Sequence, residues 1–192
     1  MERILRRGLR LSLVVSVACM HAPTAPTQPT PTGVAYDRDL WGGWIDANHD
    51  CQDTRTEVLI DESLVPPTLS ADGCRVIAGQ WLSYYDGELI TAPRVLDIDH
   101  LVPLAEAHRS GGSAWSRDRK LAYANDLDDA EHLVAVTARS NRQKSDQDPS
   151  TWRPRREAWC RYARAWRGVK VRWTLMIDAA EEAALREMES SC

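Results

Sequence analysis

The chain has 192 residues, 43% of them hydrophobic, with 28 acidic against 24 basic side chains and a formal charge of −4 at pH 7. That length is about one domain, which excludes a multidomain assembly. The negative balance excludes a general attraction to polyanions, so any grip on phosphate must be local.

The first segment, MERILRRGLRLSLVVSVA, sets arginines at 3, 6, 7 and 10 ahead of an apolar run from Leu11 to Ala18. This predicts a signal peptide over 1–18, with an apolar run too short to span a bilayer. The run closes on SVAC, which looks like a bacterial lipobox with Cys19 as acyl acceptor, although Ser16 stands where leucine is more usual. A lipid on Cys19 would hold the protein at a membrane face; the alternative is ordinary cleavage nearby. Residues 19–33 are rich in proline and threonine without apolar periodicity and read as a tether. The folded part is then 34–192, exported as a cell-surface lipoprotein or a secreted protein.

Next comes DANHDCQD, residues 46–53, with acidic spacing faintly like a calcium loop but read as lacking both the glycine at the sixth position and the closing Glu. Asp53 and Arg55 follow, either as a structural pair or with the arginine placed near a bound phosphate. The stretch VLDIDHLVPLAEAH, 95–108, reads as a strand ending in Asp97-Ile98-Asp99-His100. Alternation puts Asp97 and Asp99 on one face and His100 on the other. SRDRKLAYAND, from Ser116, predicts a helix; HLVAV, from His132, a second strand; ARSNRQK, from Ala138, a second helix. His49 and His108 read as surface or helix-end residues, and no serine sits in a nucleophile-elbow context.

Beyond Cys19 four cysteines remain, an even set in a chain with an export signal, and three pairings are open. Proximity favours Cys51–Cys74. A helix over about 154–172 and a second one after the N-cap Asp178 would form a hairpin across 154–192, bringing Cys160 to Cys192. No CxxC pair supports a zinc site. Residues 139–172 carry eleven Lys/Arg against three Asp/Glu, interleaved with Trp152, Trp159, Tyr162 and Trp166. Such a segment is either a phosphate-backbone binder or an amphipathic helix whose aromatics face the core.

Strand, connection, strand and helix, carrying Asp99-His100, His132 and Asn141, form a ββα pattern able to converge polar groups on one ion. At these residues the chain resembles the HNH endonuclease superfamily. The matching features are Asp99-His100 at a strand end, the Gly111-Gly112 loop, His132-Leu133 opening the second strand, Asn141 nine residues later, and Lys144 behind it. The wider text from Tyr36 onward resembles secreted bacterial members related to the GmrSD-type C-terminal domain, over nearly all of 36–192. Two departures stand out: His132 replaces an Asn, and Asn141 replaces a His. The CxxC knuckle of many relatives is absent, one of its pairs falling on Thr137 and Ser140. About 20 residues separate the Gly-Gly loop from His132, more than in compact members.

The resemblance implies an α+β fold with a ββα-metal (His-Me finger) core over about 94–146, added helices and a disulfide-stapled N-terminal part. It implies a metal-dependent endonuclease acting on DNA, with RNA the alternative substrate, gripped mainly by its backbone. His100 would be the general base, and His132 would brace the loop or reach the metal. Asp99 and Asn141 would hold a divalent ion, with Asp97 orienting a neighbour. Oxygen donors suit Mg²⁺, and a histidine would admit Zn²⁺, Ni²⁺ or Mn²⁺. Arg55, Arg142, Lys144 and Arg153 would contact substrate. The expected state is a monomer. The alternative is a non-catalytic surface lipoprotein using the same fold as a binding module.

Overall fold

A computed structural model describes residues 33–192; the leader over 1–18, the Cys19 acceptor and the tether up to 32 lie outside the described residues. After a 3-10 turn at Arg38–Trp41 come helix α1 (Thr54–Asp61) and two small hairpins. These are β1 (Thr68–Leu69) with β2 (Val76–Ala78), and β3 (Trp81–Ser83) with β4 (Glu88–Ile90). A 3-10 turn at Pro93–Val95 leads into β5 (Leu96–His100). Helices α2 (Leu104–Arg109) and α3 (Arg117–Ala124) fill the connection to β6 (Leu133–Thr137), and α4 (Ala138–Lys144) follows without a break. The C-terminal part is α5 (Trp159–Arg172) and α6 (Ala179–Glu189). The protein is thus a mixture of helices and small antiparallel sheets.

β5 and β6 pair antiparallel from Leu96↔Thr137 to His100↔Leu133. Every residue of β6 is buried, because apolar clusters cover both faces of this hairpin. Val134 and Val136 join Leu101, Val102, Tyr123, Tyr162 and Trp166 on one side. Leu96, Ile98, Leu133 and Ala135 join Val58, Leu59 and Trp81 on the other. A strand buried twice reads as a continuous apolar run, which is why HLVAV shows no alternation.

Two disulfides staple the ends of this arrangement. Cys51 pairs with Cys74 and Cys160 with Cys192, at Cα–Cα distances of 5.1 and 5.4 Å. The first joins the loop before α1 to the β1–β2 hairpin, and the second closes the α5–α6 hairpin. α5 begins at Trp159 rather than near 154, because the backbone N–H of Arg155 donates to Tyr85 O (2.8 Å) and holds Pro154–Arg155 extended.

The basic segment 139–172 is consumed largely within the fold. Arg161 pairs with Glu131 (3.0 Å), Arg172 with Asp126 (2.8 Å), and Arg167 with Glu182 and Glu189 (2.6 and 2.7 Å). Lys170 is fully buried between Glu106 (2.7 Å) and Glu181 (3.0 Å). Tyr162 and Trp166 are core residues, and Trp152 and Trp159 pack against that core. Of the two readings of this segment, the core-facing amphipathic helix is the one that describes α5.

Candidate functional site

The residues singled out in the sequence, Asp97, Asp99, His100, His132, Asn141 and Lys144, stand where β5, β6, α3 and α4 meet. α4 lies across the β5 face that carries Asp97 and Asp99. Asn141 Nδ2 donates to Asp97 Oδ2 (3.0 Å), and one turn on, Lys144 Nζ reaches Asp99 Oδ2 (2.7 Å) and His100 O (3.0 Å). Spacing of three residues puts Asn141 and Lys144 on the same helix face. Asp99 Oδ2 also accepts from the Tyr85 hydroxyl (2.8 Å). Both members of this ion pair are buried, and burial raises the Asp99 carboxyl while lowering the Lys144 ammonium. Ser140 Oγ bonds Asp86 (3.0 Å), and Thr137 Oγ1 bonds both Asp86 and Ser140, fixing the start of α4 to the β3–β4 turn.

His100 projects from the opposite face of β5. Its ring is stacked between Trp44 (centroids 5.3 Å apart, 16° between planes) and Tyr123 (6.3 Å, 10°), with His132 edge-on at 6.2 Å. His100 Nε2 lies 2.9 Å from Ala124 O, and His132 Nε2 lies 2.7 Å from Tyr123 O. A carbonyl can only accept, so Nε2 carries the hydrogen in both rings and, in the neutral form, Nδ1 carries the lone pair. These two carbonyls come from the last turn of α3, where helix geometry leaves acceptors free. Burial, and next the nearby His132, push His100 down to about 3, so the imidazole is neutral at ordinary pH. Burial lowers His132 too.

Several expectations need correction against this geometry. Asp99, expected as a metal ligand, spends Oδ2 on Lys144 and Tyr85, and the carboxylate that meets Asn141 is Asp97. His132 braces the loop: it is fully buried and bound to Tyr123 O, out of reach of an ion held on α4. Lys144, expected at the substrate, is wholly buried beneath the strand. Arg153, expected at the substrate as well, bonds Pro149 O (2.9 Å) and Glu187 (2.9 Å) and lies over Trp159. Asp53 caps α1 through Thr56 N (2.9 Å) rather than pairing with Arg55, whose Nη2 donates to Pro93 O and Leu96 O (3.2 and 2.8 Å). Arg142 is exposed beside Asn141. Gly111 has φ +125°, and a Cβ on Gly112 would stand 2.7 Å from Ala107 O, so the loop after α2 requires both glycines. His108, at the end of α2, is buried and bonded to Val34 O (2.9 Å).

The loop 46–53 is held by its own side chains: Asp46 accepts from the N–H groups of Asp50 and Cys51 (3.2 and 2.9 Å). Cys51 takes the left-handed φ of +73° where a calcium loop would carry glycine. Glu57 stands at the twelfth position from Asp46, joined to the loop through Asn48 (3.4 Å). The expectation that the loop has no closing Glu is thereby corrected, while the missing glycine stands. Sequence reading also missed Trp44, Tyr85 and Tyr123, which surround the two motif residues; only the aromatic character of each was visible.

What the fold and site define is a disulfide-stapled α/β protein with an aromatic-caged histidine and a carboxylate–amide pair on either side of one strand. The chain is 38% identical over 159 residues to an uncharacterized secreted protein of Arthroderma benhamiae, an alignment spanning 82% of this chain and 76% of that protein. It belongs to the family of that secreted protein, and it is an exported protein. No family model matches the chain. No solved structure matches it.

Proposed function

We propose that this protein is an exported, metal-dependent endonuclease of the HNH type that hydrolyses phosphodiester bonds of DNA, with RNA as a second substrate. The observation that carries the reading is His100. Its Nε2–H is committed to Ala124 O (2.9 Å), which leaves Nδ1 as the basic nitrogen, and burial keeps the ring unprotonated. An imidazole held in one tautomer at a strand end presents Nδ1 as the acceptor for a proton of an attacking water, and the negative charge of a phosphate bound beside it would raise the basicity that burial lowers. Trp44 and Tyr123 fix the plane of the ring, so Nδ1 has one direction of approach.

Among the described residues no group of three or more His, Cys, Asp or Glu side chains converges on a point. Asp97 and Asn141 do offer a carboxylate and an amide oxygen on facing elements, since an amide exchanges its O and N by a half-turn. Two hard oxygen donors fit Mg²⁺, which keeps most of its shell as water and substrate oxygens. The nitrogen donor that would favour Zn²⁺, Ni²⁺ or Mn²⁺ stands apart: among the described residues His132 Nδ1 has no hydrogen-bond partner, but Asp97 pairs with Val136, four residues along the chain from His132. A cation there would neutralise charge on the phosphoryl oxygens.

Plasmid digestion by chelator-treated protein, resupplied with single metals, tests this. With Mg²⁺, cleavage is expected; His100→Ala should lose about 10²–10⁴-fold of the rate, and Asp97→Ala should raise the metal concentration needed. Full activity of His100→Ala rejects His100 as the base. A second reading, a non-catalytic binding module, is favoured by one feature, the closure of Asp99 by Lys144. Retained DNA binding with no cleavage under any metal would select it.

A further inference from the structure

With the arginines and the lysine of α5 largely paired off, unspent positive charge must be sought outside that helix. Two adjoining depressions, of about 470 and 410 Å³, share Arg94 as a common wall. The first lies between α1, β2 and the Pro93–Val95 turn and contains Arg55 and Arg75. The second lies between that turn, β4 and the start of α4 and contains Arg139 and Arg142. Arg75, Arg94 and Arg142 are exposed, and among the described residues none has a carboxylate within ion-pair distance. The two acidic residues lining the depressions are occupied: Asp53 caps α1, and Glu88 holds Arg139 (2.8 Å). Between the arginines the lining is mainly apolar, broken by Thr56 and Thr137, with Ile77 and Val95 left 56% and 42% exposed.

Guanidinium groups set at intervals along an apolar trough match a chain whose anionic groups alternate with less polar units. The trough ends at Arg142, next to Asn141 and its partner Asp97. We infer that this trough, from Arg75 past Arg94 to Arg142, is the track for the phosphodiester backbone of a nucleic-acid strand, in place of α5 and of Arg153, Arg155 and Arg156 before it. The inference rests on the proposed nuclease reading for its substrate class, but it is tested by binding alone.

The full chain, held in chelator so that nothing is cut, is titrated with fluorescent oligonucleotides over a range of salt. The triple variant Arg75→Gln, Arg94→Gln, Arg142→Gln is expected to lose at least about tenfold in affinity, and its log–log salt slope should fall by about 2–3, at roughly 0.7–0.9 per phosphate contact. A triple Arg→Lys variant should keep the slope. The triple Arg153→Gln, Arg155→Gln, Arg156→Gln should bind within about twofold of the parent. Equal binding by the first Gln variant and the parent, or greater loss in the second, overturns the track, as does a parent chain that binds no oligonucleotide. Preference for a sulfated polysaccharide, dependent on the same arginines, overturns nucleic acid as its occupant. Cleavage is read separately with Mg²⁺: absent cleavage with intact, arginine-dependent binding rejects the nuclease reading and leaves the track standing.

Discussion

His100 is neutral in the fold because its ring exchanges water for Trp44, Tyr123 and a single carbonyl, and that choice has a cost in acid. Its folded pKa, about 3, lies below the ordinary histidine value of 6.5. Between those values the unfolded chain binds the extra proton, so stability is full above pH 6.5 and is lost as pH falls toward 3. The loss by pH 5, relative to pH 8, is about 2 kcal/mol. Glu62 acts in the opposite sense. Burial raises it from 4.5 to about 7, so its contribution is present below 4.5 and fades as pH rises to 7. The two trends overlap, and the contribution of His100 is isolated by comparing the parent with His100→Gln. Thermal unfolding from pH 8 to pH 5 should show a smaller decline in the variant. Parallel declines would mean that His100 is solvated and that the caged geometry does not hold in solution.

At the scale of elements, the α5–α6 hairpin shows what spacing can and cannot convey. The cysteine positions and the Asp178 N-cap predicted two helices meeting near Cys160 and Cys192, and the hairpin has that form, including a capping box between Asp178 and Glu181. Closing a loop of 32 residues restricts the unfolded chain by about 4 kcal/mol. Replacing both cysteines with serine should therefore lower Tm by roughly 8–15 °C, and a shift under about 2 °C would mean that the Arg167 and Lys170 ion pairs alone hold the hairpin. Strand β5, strand β6 and helix α4 were legible for a similar reason: their apolar runs and breakers are local. The partners of their polar residues were not. Lys144 looks like a phosphate contact in the sequence because nothing near it states that Tyr85 and Asp99 will enclose it. The arginines of α5 look like a binding face because their carboxylates lie far away, at Asp126, Glu131, Glu182 and Glu189. Tyr85, Trp44 and the carbonyl of Ala124 reach the motif across sequence separations of 14 to 56 residues, and no periodicity records contacts of that kind.

At the scale of the whole molecule, the β5–β6 hairpin is shared by two cores. One contains Trp81, with Trp44 packed against it; the other contains Trp41 and Trp166, with Trp115, Trp152, Trp159 and Trp173 packed against it. The Cys51–Cys74 bond staples the side of the first core, and Cys160–Cys192 the side of the second. Neither core keeps its shape without the strands between them: loss of β6 exposes Leu133 and Ala135 to one side and Val134 and Val136 to the other. Each fully buried aliphatic side chain of this kind contributes about 1.5–3 kcal/mol, so one core cannot open and leave the other intact. The protein should therefore unfold in one cooperative step, with tryptophan fluorescence and far-ultraviolet circular dichroism coinciding across a denaturant titration. Removing either disulfide should move the midpoint to lower denaturant without splitting the transition. Removing both should move it by the sum of the two shifts within about 0.5 kcal/mol, since the bonds share no partners. Two separated transitions, or a fluorescence change that precedes the loss of circular dichroism, would mean that the cores are independent. His100, which stands between Trp44 on one side and Tyr123 on the other, would then be held by only one of them at a time.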